Sequence, residues 1–131
     1  MTQLLRNALT TISVLLVLPL TLTTCGTEPV YTAFEATLVS PHNLEGSAVI
    51  ELDGEYPDAI TATAGQAFTH ADNGVTRVVI ILYDPGFIGF TLNLDVASEA
   101  PTARVIEVAD ASNQLRTSIG EYVVHFEGVA R

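Results

Sequence analysis

An all-β fold, built as a single antiparallel β-sandwich, is what this sequence predicts, and three observations carry that expectation. Apolar and polar residues alternate with a period of two along several segments, the spacing of strands with one buried face. Turn-forming residues separate those segments at Ser40-Pro41-His42-Asn43, Asp53-Gly54, Asp72-Asn73-Gly74, Asp84-Pro85-Gly86 and 110–113. After residue 30 no stretch holds a helical period long enough to make a helix. Both a jelly-roll and an immunoglobulin-like winding fit this strand spacing.

In chain order, the first strand is expected over residues 30–39, with Phe34, Ala36 and Leu38 inward and Glu35 and Thr37 outward. Residues 46–53 resume the pattern, with Ala48, Ile50 and Leu52 inward and Glu51 and Asp53 outward. Residues 59–64 and 66–71, split by Gly65, read as a strand pair or one bent strand anchored by Ile60 and Phe68. Asn73-Gly74 is the strongest hairpin signal, because both residues tolerate the positive φ of a tight turn. It leads into residues 76–96, where 78–83 and 90–96 read as the arms of a central hairpin reversed at Asp84-Pro85-Gly86. In the second arm Phe90, Leu92, Leu94 and Val96 share one face, and Thr91, Asn93 and Asp95 the other. Residues 102–109 make a further strand. Residues 121–127 close the domain, with Tyr122, Val124 and Phe126 on one face and Val123, His125 and Glu127 on the other.

The first 24 residues have the layout of a cleaved signal helix. Arg6 is their only charge, the run 12–18 is apolar except for Ser13, and a polar stretch leads to Cys25. Asn7, Pro19 and the threonines interrupt any membrane span, which wants about 20 mostly apolar residues. Leu22-Thr23-Thr24-Cys25 resembles a bacterial lipobox, with Thr24 where a smaller residue is usual. The resemblance implies cleavage before Cys25 and acylation of its sulfur. Cys25 is the only cysteine of the chain, so no internal disulfide competes for it. The domain plan is then a lipoprotein signal peptide over 1–24, a lipidated tether over 25–29 and a β-sandwich over 30–131. The same resemblance implies an extracytoplasmic protein anchored to the cell envelope. Because Gly26 rather than aspartate follows the cysteine, it implies outer-membrane delivery in a two-membrane host.

Formal charge is −10 for the 131 residues, with five arginines, no lysine and fifteen acidic residues. Such a surface repels phosphate backbones, which excludes nucleic acid as an expected partner. It also disfavours electrostatic attachment to anionic lipid, leaving the acyl group as the expected membrane contact.

A second resemblance rests on residues 48–53, Ile60-Thr61-Ala62-Thr63-Ala64-Gly65, Arg77-Val78-Val79-Ile80 and Pro85-Gly86-Phe87-Ile88-Gly89-Phe90-Thr91-Leu92. These segments look like the core pattern of cohesin-like and carbohydrate-binding-module-like sandwiches of bacterial surface proteins. The resemblance implies a binding module rather than an enzyme, and it assigns no binding residue.

Catalytic patterns are missing from the sequence. His42, His70 and His125 lie in separate segments without a zinc-ligand spacing, no G-x-S-x-G occurs, and without lysine there is no Schiff-base chemistry. Asp53, Glu55 and Asp58, or Asp72 with Asn73, offer the hard oxygens that calcium takes, but their spacing is not that of an EF-hand loop. Solvated turn carboxylates are the simpler reading, so neither metal nor cofactor is expected. The residues that break the alternation matter more. With Val78, Ile80 and Leu82 inward, Val79, Ile81 and Tyr83 point outward, as does Val123 beside His125, and together they form the candidate partner surface. The functional expectation is a lipid-anchored, non-enzymatic module that binds or scaffolds a protein or glycan at the cell envelope. A purely structural envelope lipoprotein and a small extracytoplasmic hydrolase are the alternatives.

Overall fold

The computed structural model describes residues 26–130 and contains eight strands and no helix among them. The expected signal helix over 1–24 and Cys25 lie outside the described residues. The strands are β1 Tyr31–Val39, β2 Glu45–Asp53, β3 Ile60–Ala62, β4 Gln66–Asp72, β5 Val75–Gly86, β6 Gly89–Ser98, β7 Ala103–Ala109 and β8 Val123–Gly128. They form two four-stranded antiparallel sheets, one ordered β3-β6-β1-β8 and the other β4-β5-β2-β7. The pairs β1 with β8, β2 with β7, β3 with β6 and β4 with β5 are nested, as in a folded ribbon, and two such pairs meet in each sheet.

The expected inward residues of the first two strands are buried. Phe34, Ala36 and Leu38 of β1 and Ala48, Ile50 and Leu52 of β2 lie in the core with Val78, Ile80, Ile88, Phe90 and Val108. Period-two alternation reads correctly here because each strand has one wet face. At the β4–β5 turn, Asn73 and Gly74 take φ of 52° and 78°, the doubly positive turn that matches strand twist.

Two expectations are corrected. Residues 76–96 are not a hairpin, because β5 and β6 belong to different sheets. β5 runs straight through Asp84-Pro85-Gly86, pairing as far as Glu45 with Gly86, and the chain changes sheet at Phe87-Ile88. Pro85 lies beyond the pairing of β4 with β5, which ends at Ile81, and its fixed φ suits an extended backbone as well as a turn. The glycines that take positive φ are Gly54, Gly65 and Gly74, so Gly86 supplies no reversal.

Nor are residues 59–71 a strand pair or one bent strand. β3 lies in one sheet and β4 in the other, with the crossing at Gly65, whose φ is 73° and where a side chain would run into the carbonyl of Ile81. Ile60 does pack against the core, but Phe68 is 54% exposed on β4. The far end of β6 also departs from the alternation. Leu94 is only half-buried and Val96 is 77% exposed, because β3 covers β6 only at Phe90 to Leu92 and the β1 register shifts between Tyr31 and Ala33.

The crossings between the sheets from β1 to β2, β3 to β4, β5 to β6 and β7 to β8 lie at one end of the sandwich, and those from β2 to β3 and β6 to β7 at the other. Residues 26–30 lead into β1 at this second end.

Candidate functional site

The outer face of the β4-β5-β2-β7 sheet carries residues from four strands in transverse rows, because antiparallel partners sit directly opposite one another. One row runs His70, Arg77, Glu51, Arg104. Arg77 donates to Glu51 Oε1 at 2.6 Å, and Arg104 donates to Glu51 Oε2. Hydrogen bonds from Arg77 and Arg104 hold the Glu51 carboxyl below its ordinary range. Both arginines are solvated, so the triad orders the surface more than it stabilises the fold.

The next row, toward the crossover end, is Phe68, Val79, Val49, Glu107, followed by Gln66, Ile81, Ser47, Ala109. Tyr83, 74% exposed, extends the apolar side beyond them. This face is therefore divided into a charged row and an apolar strip of Val49, Phe68, Val79, Ile81 and Tyr83. Val79 is half-buried by its row neighbours, and Ile81 is 46% exposed.

Three of the four residues expected to form a partner surface thus share one face. Val123 does not join them. It pairs with Val39 at the start of β8 in the other sheet. Outward parity is a local property, whereas membership of a sheet depends on long-range pairing, so Val123 had the right exposure and the wrong neighbours. Val105 and Ile106 are half-buried, because a register shift in β7 makes both lean against the sheet.

A second cluster, at the crossover end, was missed. Glu45 is 1% exposed, and its carboxylate is fully engaged. Ser40 Oγ and Tyr122 Oη each donate to Oε1 at 2.6 Å, and Arg116 Nε donates to Oε2 at 3.1 Å. Burial pushes the Glu45 carboxyl up, but these hydrogen bonds and the Arg116 charge outweigh it and hold the group below its ordinary range. Burial and the hydrogen bond to Glu45 raise the Tyr122 hydroxyl. His42 stands beside Tyr122 with ring centroids 6.2 Å apart. The cluster ties the loops before β2 and before β8 together, and Asp110 folds the second of these by accepting from Ser112 N at 2.8 Å and Gln114 N at 3.0 Å. With both oxygens engaged, Glu45 is placed as an anchor rather than as a proton carrier.

The acidic loop is built around hydrogen bonds. Glu55 Oε1 accepts from Gly74 N at 3.0 Å, Tyr56 Oη donates to the Asp53 carbonyl at 3.0 Å, and buried Thr76 Oγ1 accepts from Tyr56 N and donates to the Gly54 carbonyl, both at 2.8 Å. Among the described residues no three histidine, cysteine, aspartate or glutamate side chains come together as a metal site, so Asp53, Glu55 and Asp58 are not gathered into one. His42, His70 and His125 stand on the β1–β2 loop, β4 and β8.

No protein-family model, no curated protein and no solved structure matches this chain.

Proposed function

We propose that this chain is a lipid-anchored cell-envelope protein whose β-sandwich binds or scaffolds a partner and catalyses no reaction. The apolar strip of Val49, Phe68, Val79, Ile81 and Tyr83, which no other segment among the described residues covers, carries the reading. A contiguous apolar patch rimmed by charge suits a contact surface, and here the rim is the His70, Arg77, Glu51, Arg104 row. Of the two windings, the jelly roll is favoured by the nested pairing of eight strands, in line with the cohesin-like resemblance. The lipobox-like Leu22-Thr23-Thr24-Cys25 supports the anchor and, with Gly26, delivery to the outer membrane of a two-membrane host.

Site-specific photo-crosslinking in intact cells tests the surface. A photoreactive side chain at Tyr83 or Val79 is expected to form an adduct with an envelope component, and one at Glu35, exposed on the opposite sheet, is expected to form none. Equal adduct formation from both sheets, or none from Tyr83 and Val79, contradicts the assignment.

A further inference from the structure

We propose that the free edge of β4 is a homodimer seam, where a second copy adds its own β4 antiparallel to extend the β4-β5-β2-β7 sheet into eight strands. The proposal does not depend on the lipid anchor. β4 pairs on one side only, with β5, and among the described residues no other backbone hydrogen bond reaches Gln66–Asp72. Its outward N–H and C=O groups are a template for another strand.

The other three edges are closed to such an addition. β3 has only three residues. β7 carries the register shift at Ile106, and its own following loop folds over it, with Arg116 N donating to the Val108 carbonyl at 2.8 Å and Asp110 N to the Gln114 carbonyl at 2.9 Å. β8 presents Glu127 directly opposite Glu35, so a second acidic copy there would add carboxylates to carboxylates. β4 has none of the usual edge guards: it contains no lysine, proline or bulge, and its single charge is the terminal Asp72.

Charge and shape also select a second copy as the occupant. Two chains of formal charge −10 repel over most of their surfaces, and β4 offers a contact whose one carboxylate, Asp72, lies at the strand end away from Phe68. Centred on Phe68, a two-fold pairing sets Phe68 against its symmetry mate and Gln66 against His70, while Asp72 falls past the start of the partner's strand and faces no acidic strand residue. The row Phe68, Val79, Val49 then continues into the same row of the partner, giving one apolar stripe across six strands. It also covers the phenyl ring that the monomer leaves 54% exposed. The contact is isologous and closed, so it ends at two copies.

The test uses the whole chain purified in detergent, with micelles in large excess over protein. Sedimentation should give twice the chain mass for the wild type and the single-chain mass for Phe68→Lys, whose urea transition should stay cooperative, with the midpoint lowered by the lost association. In an oxidative cross-linking arm, Phe68→Cys should form a disulfide-linked dimer, because directly opposed strand residues lie about 5 Å apart. Tyr83→Cys, more exposed but far from the seam, should not. The wild type, with Cys25 alone, reports any background from that residue. A wild-type monomer at micromolar concentration overturns the proposal and leaves the edge to a foreign extended segment. Equal cross-linking of Phe68→Cys and Tyr83→Cys, or a dimer indifferent to Phe68→Lys, overturns it as well.

Discussion

Replacing Phe90 with alanine is expected to destabilise the domain by about 3 to 5 kcal/mol, the range for truncating a large buried aromatic. Phe90 is 1% exposed, faces the core from β6, and meets Phe126 edge-on with ring centroids 6.2 Å apart. Its strand is held between β1 and β3, so the backbone cannot close into the space. Thr91→Ala, one residue along and on the outer face, should change stability by less than about 0.5 kcal/mol. Urea unfolding of the two variants compares them directly, and equal losses would show that β6 does not present alternate faces to core and solvent.

Glu45→Ala is expected to cost about 3 kcal/mol, the low end for removing one partner of a buried ion pair, because Arg116 keeps some access to solvent. The loss has two sources: Tyr122 keeps a buried hydroxyl and Ser40 a half-buried one without their acceptor, and the loop after β7 loses its tie to β2. The pH dependence has a definite sign. A carboxyl held below its ordinary value of 4.5 in the folded chain contributes stability that is full above that value and fades as pH falls through the folded one. Glu51 and Asp110 are lowered too and act in the same direction, so the informative quantity is the wild type minus Glu45→Gln. That difference should be largest at neutral pH and shrink below pH 4.5. A difference independent of pH would mean that Glu45 is not held as a charged anchor.

Much of the sandwich was legible in the sequence, and the reasons are local. β1, β2 and the first half of β6 each carry one apolar face, and the Asn73-Gly74 turn needs only its own two residues. The crossings between sheets were not legible. Pro85-Gly86 suits a reversal and an extended strand equally well, and only the pairing of Glu45 with Gly86 decides between them. Glu45 was hidden by the same strand. Counting by twos from Ala48, Ile50 and Leu52 places residue 45 outward, but the register shift between Glu45 and Ser47 turns it into the core. Gly46 makes that possible, since a Cβ there would lie 2.5 Å from the Asp110 carbonyl oxygen. Of the candidate surface, Val79, Ile81 and Tyr83 were readable because β5 is apolar on both faces. Val123 was misplaced because no local pattern reveals which sheet a strand joins.

The envelope assignment turns on one sulfur outside the described residues. A diacyl anchor adds about 0.8 kcal/mol for each buried CH₂, enough to hold a domain with no basic patch of its own. Mass spectrometry of the mature N-terminus reads that sulfur directly. A chain beginning at Cys25 with the mass of its acyl groups added is the expected result, lost in Cys25→Ser and kept in Glu28→Ala. An unmodified Cys25, or a mature chain that begins elsewhere, would contradict the lipid anchor and the envelope function built on it.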